Sequence, residues 1–280
     1  MTTLGILHPG SMGAAVAAQA KAAGAEVLWC PEGRSAATKD RAARAGLAAV
    51  GSIAEMAHNT DVILSLCPPA NAVDVASLAA AHSFSGIFVD GNAISPASMK
   101  TIDTIMSSAG AQLVDGSVIG SPPSAAKSPR LYLSGPEGPV EAVASLFEGT
   151  AVNALTLQGG IGKASALKLS YSTFQKTSRA LAAVSYALAR DYGVEEELMD
   201  VAKERTTSYL TETDYFPKAA ARAWRWAPEL YEAASALASH SLPMELAEAA
   251  ALTFEHWGTT KDTALGLAEA VDHLRRPQQS

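Results

Sequence analysis

The sequence has few of the features that mark secreted, membrane-spanning or nucleic-acid-binding proteins. Two cysteines among 280 residues cannot build a disulfide framework, and their spacing indicates no metal site. No apolar run approaches the roughly 20 residues that a bilayer-spanning helix needs, and the first residues lack the basic patch of a secretory signal. The net charge of −7 argues against nucleic acid as a partner. These absences favour a cytoplasmic globular protein that binds a small molecule.

The first half of the chain alternates short apolar runs with alanine-rich helical stretches. The apolar runs predict strands buried on both faces, at residues 4–7, 26–29, 62–66, 86–90, 112–114 and 131–133. Helices are predicted between them, at residues 11–23, 35–45, 70–81 and 95–109. Crossovers of this kind are right-handed and imply an α/β fold with a mostly parallel sheet.

The composition changes after about Gly160. A helical pattern without proline or internal glycine runs over residues 162–192, and further helical stretches follow. Breaks in these stretches are predicted near Pro217, Pro228 and Pro243. We therefore predict two domains, an N-terminal α/β domain over residues 1–159 and an all-α domain over residues 160–280.

A turn with two glycines, His8-Pro9-Gly10-Ser11-Met12-Gly13, separates the first predicted strand from the first predicted helix. In a dinucleotide-binding fold, a glycine here lets the backbone approach a pyrophosphate, while the helix N-terminus supplies free N–H groups. A second glycine permits close packing of helix on strand. The fingerprint usually begins with a third glycine, which is His8 here. The position of the turn predicts a cofactor-phosphate site at Gly10, Ser11, Met12 and Gly13.

The segment after the second predicted strand favours NADP over NAD. An NAD enzyme presents an acidic side chain to the ribose roughly 20 residues after the glycines, but here the strand ends in Trp29 and Cys30. Arg34 and Ser35 follow at a helix start, where a guanidinium, a hydroxyl and backbone N–H groups suit a 2′-phosphate. Two alternatives stay open: Arg34 is a solvated side chain beside a helix cap, or Glu32 contacts a 2′-hydroxyl.

Five short motifs, in the same order, resemble the β-hydroxyacid dehydrogenase superfamily, which includes 3-hydroxyisobutyrate and 6-phosphogluconate dehydrogenases. They are Gly10-Ser11-Met12-Gly13, Leu66-Cys67-Pro68, Asp90-Gly91-Asn92, Asp115-Gly116-Ser117-Val118-Ile119-Gly120 and Gly162-Lys163-Ala164-Ser165-Ala166-Leu167-Lys168. The resemblance covers nearly the whole chain and implies a Rossmann domain followed by a helical domain. It also implies a homodimer, because relatives intertwine the helices of two chains to complete each active site.

The resemblance implies a role for each motif. Leu66, Cys67 and Pro68 resemble the cofactor loop. Asn92 is similar to a residue beside the nicotinamide ribose, and Lys168 to the catalytic lysine. Two departures concern the substrate, because the serine that holds a substrate carboxylate in relatives is Ile119 and the asparagine after the lysine is Ser172. The chain is most similar to a bacterial branch with a distinct C-terminal domain, so no particular substrate is implied.

The residues of the long predicted helix suggest a mechanism. Lys168, Ser172 and Lys176 follow at spacings of four and therefore lie on one side of the helix. A lysine in a mostly apolar helix is partly desolvated, which lowers its pKa and suits proton transfer. We predict that Lys168 is the general acid in carbonyl reduction and the general base in reverse. Ser172 would orient it and Lys176 would hold a substrate anion. Alternatively, both lysines extend into solvent.

The substrate loop completes the prediction. Gly120 lets the backbone approach the reacting centre, and Ser121 offers a hydroxyl displaced by one position. Ile119 makes the pocket more apolar, which favours a substrate that is bulkier or less acidic than a small hydroxy acid. The predicted function is NADP-dependent hydride transfer between the nicotinamide and a carbonyl or hydroxyl group. An imine reductase, against which the retained lysine argues, and an NADP sensor without turnover are the alternatives.

Overall fold

The computed structural model describes residues 1–261 and 263–275. The chain divides into two compact units, Met1–Tyr171 and Ser172–Ser280, and the division falls inside one long helix. The first unit therefore contains the start of that helix as well as the sheet. The boundary predicted between residues 159 and 160 precedes the helix and stays a prediction.

The described part of the first unit contains one sheet of eight strands. In chain order the strands are β1 (Thr3–Ile6), β2 (Glu26–Trp29), β3 (Ala48–Ala49), β4 (Val62–Ser65), β5 (Ile87–Asp90), β6 (Gln112–Ile119), β7 (Arg130–Ser134) and β8 (Asn153–Thr156). Their order across the sheet is β3-β2-β1-β4-β5-β6-β7-β8. Neighbouring strands are parallel except for the antiparallel pair β6–β7. The predicted α/β fold with a mostly parallel sheet is confirmed.

Helices cover both faces of this sheet. Between the strands lie α1 (Ser11–Ala22), α2 (Ala36–Arg44), α3 (Ile53–Asn59), α4 (Ala72–Ala81), α5 (Pro96–Ser108) and α6 (Glu137–Ser145). Side chains of α1, α2 and α6 belong to one buried cluster and those of α3, α4 and α5 to another. Val62 and Leu64 of β4 join the first cluster, while Ile63 joins the second. Burial on both faces explains why this strand is apolar at every one of these positions.

The regular elements in the described part of the second unit are all helical, as predicted for this region. They are α7 (Lys163–Asp191), which begins in the first unit, α8 (Glu195–Lys203), α9 (Phe216–Ser239), α10 (Glu245–Glu255) and α11 (Leu267–His273), besides short 3₁₀ turns. Among the residues described, none of these helices has the length and apolar character needed to cross a membrane.

The predicted helix break near Pro228 is wrong, because this proline lies inside α9. Proline removes one helical hydrogen bond, to the carbonyl of the residue four positions earlier, and normally kinks or ends a helix. That residue is Trp224, which is 49% exposed. Water can therefore reach this turn of the helix. Pro217, by contrast, lies in the first turn of α9, where proline is compatible with a helix start.

Candidate active site

The strand order reverses at the carboxyl edge between β1 and β4. From β1 the chain proceeds outwards to β2 and β3, then returns to place β4, β5 and β6 on the other side. The loops that leave β1 and β4 consequently diverge and leave a crevice, which is where open α/β sheets bind their ligands.

The turn after β1 combines an open position with a tightly packed one. Gly10 is the N-cap of α1, and a Cβ at Gly10 would meet no heavy atom of the described residues within 4 Å. A Cβ at Gly13 would lie 2.3 Å from the carbonyl oxygen of His8. Gly13 is therefore required for packing of α1 against the turn, whereas Gly10 leaves space for a ligand. Ser11, Met12 and Gly13 form the first turn, whose N–H groups have no partner within the helix.

A cleft of about 440 Å³ lies at this edge of the first unit. Its lining residues come from the ends of three strands and from α4, and they are Leu7, His8, Arg34, Pro68, Asn71, Asp74, Val75 and Leu78. The cleft thus brings together Arg34 and Pro68, which the sequence analysis assigned to the cofactor. It also includes Asn71 and Asp74, which that analysis missed because an amphipathic helix start has no distinctive spacing.

His8 is half-buried in this cleft and is held in its neutral form. Burial, and to a lesser degree the charge of Arg34, lower the pKa of His8 to about 4. Nδ1 of His8 and Nε of Arg34 are both buried, and neither has a hydrogen-bond partner among residues 1–261 and 263–275. Buried polar atoms are nearly always paired with protein groups or ordered water, and these two nitrogens are exceptions among the described residues.

A group of polar side chains surrounds the start of α2. The Ser35 hydroxyl caps the helix by accepting a hydrogen bond from the Thr38 N–H at 3.3 Å. Arg41 donates from Nη2 to Thr38 Oγ1 at 3.1 Å and from Nε to the Pro9 carbonyl at 3.4 Å. The predicted Ser35 therefore has a structural role as well. Arg41 links α2 to the turn after β1, a contact that sequence reasoning missed although residues 35, 38 and 41 repeat at helical spacing.

Asn92 holds the loops after β4 and β5 together. Its Oδ1 accepts a hydrogen bond from the Cys67 N–H at 2.6 Å. Its Nδ2 donates to Ser65 Oγ at 3.2 Å and to Asp90 Oδ2 at 2.9 Å. The side chain is 4% exposed, so its amide fixes the loop Leu66–Cys67–Pro68 rather than extending from it. Burial, followed by the nearby charge of Asp115, raises the pKa of Asp90 to about 6 against the opposing hydrogen bonds from Asn92.

The start of α7 is anchored to the paired residues Asp115 of β6 and Ser134 of β7. Asp115 Oδ2 accepts hydrogen bonds from the N–H groups of Gly162 at 2.8 Å and Ser165 at 3.1 Å. Asp115 Oδ1 accepts from the Ser165 hydroxyl at 2.7 Å, and Ser134 Oγ accepts from the Ala164 N–H at 3.1 Å. A buried carboxylate thus meets the positive end of the helix dipole. Asp115 and the residues of this helix start lie in the motifs quoted above, where no individual role was predicted for them, and Ser134 lies outside those motifs.

Lys168 lies beside the predicted substrate loop. Its Nζ donates a hydrogen bond to the Val118 carbonyl at 2.5 Å, and the side chain is half-buried. Ile119 is the last residue of β6, and Gly120 follows with φ +131, a conformation that favours glycine. Ser121 is exposed. The ammonium group and the loop therefore meet at the end of one strand.

The other two predicted residues of this helix lie further along α7, in the second unit. Ser172 is buried and Lys176 is exposed. Their roles in orienting the lysine and in binding a substrate anion stay predictions.

Two parts of the chain match known families. Residues 3–159 match the family described as the NAD binding domain of 6-phosphogluconate dehydrogenase. Residues 189–257 match a domain of unknown function, DUF1932. A curated relative, an uncharacterized 28.5 kDa protein of Methanothermus fervidus encoded in the 7S RNA 5′ region, is 27% identical over 183 residues, which cover 64% of this chain and 68% of that protein.

Solved structures show the same fold over almost the full length. The Mycobacterium tuberculosis 3-hydroxyisobutyrate dehydrogenase, determined with L-serine, is 22% identical, with a TM-score of 0.62 and coverage of 99% of this chain and 100% of that one. The reductive aminase of Aspergillus terreus, in complex with NADPH and ethyl levulinate, is 18% identical, with a TM-score of 0.73 and coverage of 98% and 100%. At these identities the likeness establishes the fold.

Proposed function

The chain belongs to the family that carries the NAD binding domain of 6-phosphogluconate dehydrogenase, within the β-hydroxyacid dehydrogenase superfamily, and on that premise we propose that it is an NADP-dependent oxidoreductase. The observation that carries the proposal is the position of Lys168. Its ammonium group is bound to the Val118 carbonyl at 2.5 Å, next to the loop that begins at Ile119. A proton donor is thereby held at the carboxyl edge of the same sheet that supplies the cofactor loops.

The residues at this edge fit a dinucleotide. The open space at Gly10 and the N–H groups of the first turn of α1 suit a pyrophosphate. Arg34, whose buried Nε has no hydrogen-bond partner among the described residues, and Ser35 at the start of α2 suit the 2′-phosphate of NADP. Glu32 is exposed, outside the set of residues that line the cleft. These features favour NADP, with NAD as the less favoured cofactor.

The chain's own residues then orient the substrate and move one proton. NADPH, when bound, would supply the hydride for the substrate carbon. Lys168 donates a proton to the substrate oxygen and takes it back in the reverse reaction. Asn92 positions the cofactor loop through Cys67, Gly120 lets the loop backbone approach the reacting centre, and Ser121 offers a hydroxyl there.

Substrate preference is the next part of the proposal. Ile119, at the place where relatives have a carboxylate-binding serine, supplies an apolar wall and favours a bulkier or less acidic substrate. Ser172 is proposed to orient Lys168, and Lys176 to hold an anionic group of the substrate, because both follow at helical spacing.

An imine reductase is the second candidate. The observation that favours it is the likeness to the Aspergillus terreus reductive aminase, whose TM-score of 0.73 exceeds the 0.62 of the dehydrogenase. Such an enzyme would reduce a C=N bond instead of a C=O bond at the same site. The proton on the product nitrogen would come from Lys168, or the substrate would already carry it as an iminium ion.

We also propose a homodimer. The described second unit contains an apolar groove of about 710 Å³, lined among others by Leu181, Leu188, Tyr192, Val201 and Leu230. Leu181, Tyr192 and Val201 are 43%, 59% and 68% exposed. A matching face of a second copy would remove this apolar surface from water. Size-exclusion chromatography with light scattering should give a dimer at micromolar concentration, and a monomer there would contradict the proposal.

The cofactor proposal is tested by titrating the protein with NADPH and NADH and following nicotinamide fluorescence. Wild type should bind NADPH more tightly than NADH, and Arg34→Ala should lose NADPH affinity selectively. Activity is then screened with 3-hydroxy acids and NADP⁺, and with keto acids, aldehydes and cyclic imines and NADPH. Turnover of imines alone would establish the second candidate, while binding without turnover across the panel would favour a sensor.

The catalytic proposal is tested with Lys168→Met, using Lys163→Met as the control. Lys163 is an exposed residue of the same helix. Loss of a general acid typically lowers kcat by about 10²–10⁴-fold, so Lys168→Met should fall in that range while its affinity for NADPH stays within twofold of wild type. Equal activity of the two variants would refute the assignment.

A further inference from the structure

The residue at the first position of the dinucleotide fingerprint is His8 instead of glycine, and its backbone accommodates the change. Among the residues described, the non-glycine positions with positive φ are Ser83 and Ser241. His8 therefore adopts a conformation open to any L-residue, and the turn keeps Gly10 and Gly13 in place. The imidazole occupies space that a glycine would leave empty.

The surroundings of this imidazole suit an anionic ligand. His8 and Arg34 line one cleft, together with Pro68, Asn71 and Asp74. Each of the first two has one buried nitrogen that lacks a hydrogen-bond partner within the described residues, Nδ1 in His8 and Nε in Arg34. A phosphate in the cleft accepts hydrogen bonds from imidazole and guanidinium N–H groups once these side chains turn towards it, and such charge-assisted bonds are short and strong.

We propose that His8 is a second recognition group for the 2′-phosphate of the cofactor, acts beside Arg34, and strengthens the preference for NADP over NAD. This inference rests on the proposed function, since it takes the cleft to hold the adenosine end of NADP. Without His8, Arg34 would attract the phosphate through the positive charge of its guanidinium. His8 adds a hydrogen-bond donor from the loop after β1, so that the loops at the ends of two strands bind the phosphate.

Binding is coupled to a proton. Burial and the charge of Arg34 keep the pKa of His8 low, at about 4. A phosphate near the ring favours the charged form and raises that pKa, so the imidazole takes up a proton as the nucleotide binds. Three other charged groups act here: Arg34 after β2, Asp74 of α4 in the same cleft, and Arg41, whose Nε donates to the carbonyl of Pro9. Asp74 also favours the protonated ring, whereas the two arginines oppose it.

The experiment compares His8→Gly, which restores the fingerprint glycine, with His8→Gln, which keeps a neutral donor. NADPH and NADH are titrated by nicotinamide fluorescence at pH 6.5, 7.25 and 8.0. Calorimetry in two buffers of different ionisation enthalpy measures proton uptake on NADPH binding. The control is His58→Gln, an exposed histidine of α3. Thermal unfolding verifies that each variant folds.

We expect NADPH affinity to fall roughly tenfold in His8→Gly at pH 6.5, the loss of about one charge-assisted hydrogen bond, with NADH affinity within twofold. As the pH falls, the preference of the wild type for NADPH over NADH should rise relative to that of His8→Gly. The comparison is made against this variant because it retains the pH dependence that comes from titration of the 2′-phosphate itself near pH 6. His8→Gln should bind with intermediate affinity and take up no proton.

Three results would overturn the inference. An unchanged ratio of NADPH to NADH affinity in His8→Gly would do so while leaving the proposed function intact. Tighter binding of both nucleotides by His8→Gly would identify His8 as an obstruction. Absence of nucleotide binding by wild type would remove the proposed function and the inference together.

Discussion

Replacing Asp115 by asparagine tests how the first turn of α7 is held. The variant keeps one acceptor oxygen of the side chain but replaces the other by the NH2 group of an amide, which donates hydrogen bonds. In one orientation the donors of that amide face the N–H groups of Gly162 and Ser165; in the other they face the Ser165 hydroxyl, which can turn its oxygen towards them. The second orientation is favoured, and it keeps both backbone N–H bonds, but on a neutral oxygen. Hydrogen bonds to a charged acceptor contribute about 1.5–3 kcal/mol each and those to a neutral acceptor about 1 kcal/mol. Loss of the charge in the bonds from Gly162 and Ser165, partly offset by easier burial of a neutral group, therefore gives about 2 kcal/mol. That is a large fraction of an unfolding free energy of about 5–15 kcal/mol.

Urea unfolding followed by circular dichroism measures the global effect. Amide hydrogen exchange at Gly162 and Ser165 measures the local one, and both amides should lose protection in Asp115→Asn. The exposed Asp40 of α2 provides the control, since Asp40→Asn should change the unfolding free energy by no more than about 0.5 kcal/mol. Asp115→Asn within 1 kcal/mol of wild type (about fivefold in the equilibrium constant), with protection unchanged at both amides, would refute the reasoning.

Three further predictions concern the cofactor edge. The raised pKa of Asp90, about 6 against 3.8, means that folding favours its protonated form, so stability declines by about 3 kcal/mol in total as the pH rises from 4 to 6. Urea unfolding should show this slope in wild type relative to Asp90→Asn, and parallel curves would contradict it. Gly13→Ala, whose Cβ would lie 2.3 Å from the His8 carbonyl oxygen, should lose about 1–3 kcal/mol of stability through overpacking as well as nucleotide affinity. Gly10→Ala should melt like wild type, because its methyl meets only open space, yet bind NADPH more than tenfold more weakly; undiminished binding would exclude Gly10 from the pyrophosphate site.

Strong local signals allowed most of the first unit to be predicted. Strand β2 and helix α1 agree with the sequence to within one residue, since their apolar runs end at turns rich in glycine. Strand β3 has two residues and carries no periodic pattern, and α3 and α6 are short, so none of the three was predicted. Strand β8 was missed because its half-exposed residues lack a long apolar run.

The candidate site likewise contains residues that the sequence made predictable and contacts that it did not. Loop positions such as Arg34 and Pro68 were predictable because they follow strands whose carboxyl ends share one edge. The contacts of Asn92 with Cys67, and of Asp115 with Ser165, join residues that are distant in sequence. A single sequence shows no such pairing, because the partners are set by strand register. The role of Asn92 as a tie between loops therefore emerged only from the structure.

The position of Lys168 also indicates which part of the chain the proposed chemistry depends on. Lys168 bonds to Val118 of β6, and the start of α7 is capped by Asp115 of the same strand. All of these residues belong to the unit Met1–Tyr171. The proposed cofactor loops and the proposed proton donor are thus held by one unit. Residues 189–257, in the other unit, match a separate family. Replacement of that second unit during evolution would leave the Lys168–Val118 contact in place, so the proposed proton donor would be retained.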